Sequence, residues 1–402
     1  MEKQKKIPVL RFPDFADDWQ LKKIGTLTER VTNPVDVQDE EFYSQIGIRS
    51  HGKGIFYKEA VTGKSLGNKR VFWVKENAFI VNIVFAWEQA VAKTTEKETG
   101  MIASHRFPMY SPVQTQSDLD YLLQFFLTRK GKSLLELASP GGAGRNKTLG
   151  QKEFENLKFL VPNVAEQTKI ASFITAIENK INQLKQKKTH LEQYKKGVMQ
   201  KLFSKELRFK PALSGVEGDE SGKEFPKWEK KKLGEICECL DNLRKPINDS
   251  ERQKMKGNIP YWGANNIMDY VNDYLFDETI VLLAEDGGNF NEYKERPIAN
   301  ISYGKCWVNN HAHVLRGKSK LINEFLFYLL VHKNITGYVS GGTRAKLTKG
   351  EMLKIEIQIP SITEQTKIAN FLSSIDEKIN RTQNQIQQTG QYKKGLLQNM
   401  FV

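Results

Sequence analysis

The chain has 402 residues, 39% hydrophobic and 27% charged, with 61 Lys+Arg against 47 Asp+Glu, a net charge of +14 and a pI near 9.3. This composition excludes a disordered chain and implies two or three folded domains with a polyanionic partner, of which nucleic acid is the commonest. Three cysteines (Cys237, Cys239, Cys306) exclude a disulfide framework, and no apolar run approaches membrane-spanning length, so a cytoplasmic protein without membrane contact is expected.

In chain order, the opening is Phe12-Pro-x-Phe-x-x-x-Trp19 followed by Lys22-Lys-Ile-Gly25. Phe79–Val84 reads as a strand, Asp118–Ala138 as a helix, and Gly141-Gly-Ala-Gly-Arg145-Asn-Lys147 as a glycine-rich cationic loop. A β-like run into Pro162 leads to a long amphipathic helix, and Ser204–Lys223, rich in Ser and Gly, reads as a surface linker. The second half begins Phe225-Pro-Lys-Trp228, then Lys231-Lys-Leu-Gly234. A strand at Thr279–Ala284, a helix at Ile322–Val331 and the loop Gly341-Gly-Thr-Arg344-Ala-Lys346 follow, before a run into Pro360 and a second long helix.

The two long helices are copies. Glu166-Gln-Thr-Lys-Ile-Ala-Ser-Phe173 returns as Glu364-Gln-Thr-Lys-Ile-Ala-Asn-Phe371, and Gln193-Tyr-Lys-Lys-Gly197 as Gln391-Tyr-Lys-Lys-Gly395, with 18 identities over residues 166–203 at an offset of 364 − 166 = 198. A heptad seam runs through Ile170, Ile177, Leu184, Leu191 and Val198, with Phe173 and Tyr194 at d-like positions. The second seam reads Ile368, Ile375, Thr382, Thr389 and Leu396, with Phe371 and Tyr392, around a polar middle. Asn163 and Ser361 stand three residues before a glutamate, the spacing of a helix-capping pair. Such helices cannot bury their seams alone, so antiparallel packing into a coiled coil with a pseudo-two-fold axis is expected.

This gives a mixed α/β architecture: residues 1–162 and 224–360 as two α/β domains, 163–203 and 361–402 as helices, and 204–223 as the linker. Glycine lets a backbone approach phosphate closely, and arginine contacts guanine in bidentate fashion, so Arg145, Lys147, Arg344 and Lys346 are DNA-binding candidates. For either loop alone a solvated turn is the competing reading, but recurrence at the same place in both halves favours nucleic acid. His105, Arg106, Asn265, Asn266, His311 and His313 carry groups able to read base edges, although for each taken alone a structural polar role is the favoured reading. Tyr194, Lys195, Lys196, Tyr392, Lys393 and Lys394, repeated on both helices, suggest a surface used twice, against the plainer reading of a solvated face.

No catalytic constellation emerges. Asn258-Ile-Pro-Tyr261 lacks the central proline of an adenine-methyltransferase motif, and Gly63-Lys-Ser65, Gly131-Lys-Ser133 and Gly317-Lys-Ser319 lack the glycine a phosphate loop needs. Cys237-x-Cys239 with Cys306, His311 and His313 fits structural zinc spacing poorly.

Two different α/β inserts, each followed by a Glu-Gln-x-Lys-Ile-Ala helix ending in Tyr-Lys-Lys-Gly, with openings such as Leu-Arg-Phe-Pro-x-Phe and Phe-Pro-x-Trp, resemble the specificity (S) subunits of type I restriction-modification enzymes over essentially the whole chain. The resemblance implies two target recognition domains, each reading one half of a bipartite asymmetric site on double-stranded DNA. It also implies an antiparallel coiled coil that docks two methyltransferase (M) subunits. In the full complex, restriction (R) subunits join. This chain would then be no enzyme and hold no cofactor, with S-adenosylmethionine, ATP and Mg2+ on the partners. A self-contained methyltransferase or nuclease, and a coiled-coil adaptor without DNA specificity, are the alternatives.

Overall fold

The computed structural model describes residues 7–141, 147–210, 225–341 and 345–401. Arg145, Arg344 and most of the expected linker lie outside the described residues. The chain forms two compact units, Met1–Gln186 with Gln383–Val402, and Lys187–Thr382. Each contains part of both long helices.

In the first unit, Gln20–Lys23 (β1) pairs antiparallel with Lys158–Val161 (β10). Between them lie two four-stranded sheets. One has the order β2-β9-β6-β7, from Thr28–Val31, Met109–Pro112, Phe79–Val81 and Val91–Lys93. The other has the order β4-β3-β8-β5, from Ile55–Thr62, Phe42–Ile48, Ile102–Ser104 and Val71–Trp73, with β3 and β8 parallel. Successive side chains of a strand point to opposite faces, and β6 uses both. Ile80 joins Ile46, Ile48, Ala92 and Met109 between the sheets. Phe79 and Val81 pack instead with Phe126, Phe154 and the long-helix residues Ile170 and Ile174. An apolar run without alternation is what a strand covered on both faces needs.

The second unit repeats the plan. Glu229–Lys232 (β11) pairs with Glu356–Ile359 (β20). One sheet is β12-β19-β16-β17, from Cys237–Cys239, Ala312–Gly317, Ile280–Ala284 and Ala299–Ser302. The other is β14-β13-β18-β15, from Ile267–Val271, Lys256–Trp262, Lys305–Val308 and Phe276–Asp277, with β13 and β18 parallel. Every residue of β16 is buried, with Ile280 and Leu282 on one side and Val281 and Leu283 on the other.

The expected helix over Asp118–Ala138 is two helices, Leu119–Leu127 and Arg129–Leu137. Thr128 takes an extended ψ of 168° and caps the second helix by accepting from the Gly131 amide. A Cβ on Gly131 would lie 2.2 Å from the Phe125 carbonyl oxygen, so only glycine permits this corner.

The long helices span Val164–Ser204 and Ile362–Asn399, about 61 and 57 Å at 1.5 Å per residue. Their shared motif is mostly an anchor. Glu166 and Glu364, both 0% exposed, take Arg11 and Arg208 respectively through two hydrogen bonds each, and also accept from the indoles of Trp19 and Trp228. Asn163 and Ser361 cap the helices as expected, but the glutamates do not return to the cap because the arginines hold them. Gln167 accepts from the Asp118 amide and donates to the Gln116 and Pro162 carbonyls; Gln365 repeats this with Ile322, Lys320 and Pro360.

The opening repeat pairs differently from its sequence alignment. Trp19 and Trp228 are equivalent, but the counterpart of Phe12 is Phe209, not Phe225. Phe12 meets Phe173 and Phe209 meets Phe371 edge-on, both at 5.6 Å. The stretch from Phe to Trp is therefore 19 residues in the second copy (228 − 209) and 7 in the first (19 − 12).

Both units pack the helices antiparallel. Leu10 donates to the Asn399 carbonyl while its neighbour Arg11 holds Glu166, placing the end of the second helix beside the start of the first. Leu207 donates to the Lys201 carbonyl and Arg208 holds Glu364 in the same way. The seam differs from the expected register at its ends. Leu396 is buried as the seam requires, but Tyr194 and Tyr392 are 54% and 56% exposed, and Met199, Leu202, Met400 and Phe401 are buried there in addition.

Candidate nucleic-acid interface

In the second unit, hydrogen bonds gather four loops that are far apart in sequence. Asn265, in the turn between β13 and β14, donates to the Gly287 carbonyl at 2.9 Å. The Glu285 amide donates to His311 in the turn between β18 and β19, and the Glu285 carbonyl accepts from Leu347. Asn309 donates to the Trp262 carbonyl, and His311 Nδ1 lies 2.5 Å from Asp286 Oδ1. Ser340 and Lys346 exchange both backbone bonds, closing the base of the glycine loop, and Lys346 Nζ reaches Glu285 at 3.2 Å. Asn265, Asn266, His311 and Lys346, chosen separately from sequence, thus come to one place.

The first unit builds the same cluster with other side chains. His51 and Gly52, in the turn between β3 and β4, donate to the carbonyls of Glu88 and Gln89. Ile83 donates to the Arg106 carbonyl in the turn between β8 and β9, and its own carbonyl accepts from Leu149. The Leu149–Ile83 and Leu347–Glu285 bonds are counterparts, since 347 − 149 = 198. Lys147 lies 5.8 Å from the ring of Trp87, while His105 and Arg106 are exposed at the turn. His105 shares a small cavity of about 110 Å³ with Arg30 and Arg70.

Sequence reasoning missed Arg49, His51, Lys53 and Arg70. The signal for the first three was Ser50-His-Gly-Lys-Gly54, a glycine-punctuated turn between two strands. His51 has φ +60° and Gly52 φ +63°, so the turn needs the left-handed region twice.

His313 is a correction. It is 1% exposed, with Nδ1 2.6 Å from Asp241 Oδ2 and Nε2 2.8 Å from the Leu347 carbonyl oxygen. Both neighbours accept, so both nitrogens donate and the ring is an imidazolium. Burial works against that charge, but the bonds to Asp241 and Cys239 outweigh it and lift the pKa to about 9. Asp241 is held below its usual range, burial being overcome by His313, the Val314 amide and Arg244. His313 therefore cannot reach a base; it holds the glycine loop through Leu347. The ligand atoms of Cys239, Asp241 and His313 lie within 4.8 Å of one another, yet the imidazolium has no lone pair for a metal.

On the helices, Lys195 bonds both oxygens of Asp376 and Lys393 bonds Glu178, each tying one helix to the other inside its unit. Lys196 meets Glu295 at 3.0 Å, and Lys394 is exposed. Gly197 and Gly395 have nothing within 4 Å of an added Cβ.

The profile described as the type I restriction modification DNA specificity domain matches residues 16–193 and 226–389. A type I restriction enzyme specificity subunit of Haemophilus influenzae is 43% identical over 145 residues, 36% of this chain and 36% of its own length. The MjaVIII specificity subunit of Methanocaldococcus jannaschii is 24% identical over 426 residues, covering 98% of this chain and 94% of that one. Two crystal structures share the fold. The type I S subunit of M. genitalium aligns with TM-score 0.60 at 15% identity, over 98% of this chain and 99% of that one. The HsdS subunit of Thermoanaerobacter tengcongensis aligns with TM-score 0.51 at 14% identity, over 95% and 96%. With two matched domains, each ending in the same anchored helix, the chain belongs to the type I restriction modification DNA specificity family and is a specificity subunit of a type I restriction-modification system.

Proposed function

We propose that the two loop clusters read the two halves of a bipartite, asymmetric site on double-stranded DNA, and that the chain catalyses nothing itself. The supporting observation is that both units gather four corresponding loops, two of the links being the same backbone bonds (Ile83 to Arg106 and Leu149 to Ile83; Glu285 to His311 and Leu347 to Glu285), while presenting different side chains. A common frame with unlike surfaces suits two unlike half-sites. Lysines and arginines supply the salt-dependent phosphate attraction, and Asn, His and Arg at the turns supply base-edge contacts. Residues 1–162 and 224–360 are the target recognition domains, with Arg145 and Arg344 acting beside Lys147 and Lys346. Two M subunits carry the adenine methylation with S-adenosylmethionine, and R subunits, with ATP and Mg2+, carry restriction. The setting is the cytoplasm; among the described residues no helix is long and apolar enough to cross a membrane.

Single-molecule sequencing of DNA from cells co-expressing this chain and its M subunit tests the reading. A split motif methylated on adenine in both halves is expected. His105→Ala with Arg106→Ala is expected to relax bases in one half only, and Asn266→Ala with His311→Ala in the other only, by about 1–3 kcal/mol per lost base contact. Loss spread equally over both halves would assign these residues to phosphates, and an unmethylated genome despite a purified complex would favour the adaptor reading.

The exposed Tyr-Lys-Lys-Gly faces serve as the M-docking surface. Glycine inside a helix costs up to about 1 kcal/mol relative to alanine, and neither Gly197 nor Gly395 is required by packing within the chain. Close approach of a partner accounts for both. Gly197→Ala is therefore expected to raise the chain's own stability by up to about 1 kcal/mol while weakening M association. Unchanged M affinity in a pull-down titration would place docking elsewhere.

A further inference from the structure

The second unit holds a cavity of about 640 Å³ that the DNA-reading assignment does not use, although Lys196 of the proposed M-docking face stands at its wall. Its origin is visible by comparison with the first unit. There, Trp19 packs edge-on to Tyr121, and Tyr121 against Phe401; in the second unit Trp228, Phe325 and Phe203 take those places. Tyr121 therefore corresponds to Phe325, and one helical turn later Phe125 corresponds to Leu329. On the adjoining strand Phe159 corresponds to Ile357, since 357 − 159 = 198. Phe125 and Phe159 stack at 4.1 Å in the first unit and close the space. Leu329 and Ile357 have no rings, and both line the cavity.

The remaining wall is unusual in its chemistry. Phe203, Trp228, Tyr293 and Tyr328 supply aromatic surface. Five lysines surround it against a single carboxylate, Glu356, which Lys230 already holds at 2.6 Å. Lys196 is paired with Glu295, and Lys205 donates to the side-chain carbonyl of Gln358. Lys294 and Lys333 have no carboxylate partner among the described residues. Lys333 is only partly exposed, and burial lowers its pKa. A desolvated ammonium without a counter-charge is costly, and an anion arriving from outside relieves that cost. The volume lies in the range of small-ligand sites, and aromatic walls suit a flat ring.

We propose that this cavity binds a nucleoside phosphate, its base against the aromatic wall and its phosphates on Lys294 and Lys333. An inorganic anion would leave the rings uncovered, and a neutral base would leave the lysines unpaired. The site is independent of the loop clusters, so its occupancy does not depend on the DNA-reading assignment.

The test is calorimetric titration of the full chain, purified with its M subunits and without DNA. ADP is the probe, with adenosine and inorganic phosphate as its separate parts. ADP is expected to bind saturably below about 1 mM, at least about tenfold tighter than either part. Ile357→Phe, restoring a ring that the first unit has, is expected to weaken ADP about tenfold or more, and Lys333→Gln likewise. Thermal melts establish that each variant is folded; if Ile357→Phe is not, Lys333→Gln decides. No ADP binding, or phosphate binding as tightly as ADP and unaffected by Lys333→Gln, overturns the proposal. Methylation mapping of the same variants is expected to show both half-sites read as before, which keeps this outcome separate from that of DNA recognition.

Discussion

Glu364→Gln is expected to lower the stability of the second unit by about 3 kcal/mol, one of the larger single-residue effects available in this chain. Glu364 is fully buried, accepts two bonds from Arg208 and one from Trp228, and sits in the first turn of its helix, where a negative charge also faces the helix dipole. An amide of the same shape turns a donor toward the guanidinium and removes the buried carboxylate that receives both of its hydrogen bonds. For a unit of this size about 3 kcal/mol corresponds to roughly 10 °C in melting temperature. Glu166→Gln is expected to do the same to the first unit, where Arg11 and Trp19 play the matching parts. Calorimetry resolves the two because each variant moves its own unfolding transition. A shift below about 0.5 kcal/mol in either variant would reduce the pair to an ordinary surface ion pair.

A second large effect is expected at His313. His313→Leu removes the imidazolium that joins Asp241 to the base of the glycine loop, leaving Asp241 with Arg244, a cation that Glu285 also uses beside Lys346. The expected loss is about 3 kcal/mol, together with relaxed reading of one half-site through the unheld loop. The wild-type chain carries a matching pH dependence. Folded His313 keeps its proton to about pH 9, whereas the unfolded residue loses it near 6.5. The stabilisation is therefore complete below about pH 6.5 and is lost as pH rises through about 9, by about 3 kcal/mol in total. Unfolding followed between pH 6 and pH 9.5 measures this as the difference between wild type and His313→Leu. Parallel curves for the two proteins over that interval would show that His313 is not a buried cation.

The long helices were legible in the sequence because a heptad seam, repeated caps and 18 identities all point to the same element. Their exposed ends were not. Tyr194 and Tyr392 occupy positions that a seven-residue repeat assigns to the seam, but where a helix packs on a domain the buried stripe follows that domain's surface, and Met199 and Leu202 take the interior. Most strands have three to five residues, too few for a period to show. Two sequence strands survived, Phe79–Val84 as Phe79–Val81 and Thr279–Ala284 as Ile280–Ala284, because continuous apolar runs mark strands covered on both faces. Chemistry at the loops was legible as residue type but not as role. His311 and His313 are two positions apart, yet His311 lies in the turn before β19 beside Asp286, whereas His313 lies within the strand and enters a buried charge network. Nothing in the local sequence separates them. The partner of Arg208 was hidden for another reason: the 12 extra residues before Trp228 shift the alignment away from the Leu-Arg-Phe segment that makes the contact.

The first unit's core includes Leu396, Met400 and Phe401, packed with residues that begin at Trp19. In synthesis order this makes the unit that starts first the last to close. Contacts such as Tyr121 with Phe401 span 280 residues (401 − 121), and until that end of the chain has been made the apolar slot beside Ile170 and Phe125 has no occupant. Long sequence separations slow folding, and an open slot favours association with other apolar surfaces meanwhile. The second unit takes its helix ends from Met199 and Leu202, already made before its own sheets appear, and carries no such delay. Two units of the same plan thus differ in when they can fold, and removing the last few residues is expected to unfold the domain farthest from them in sequence.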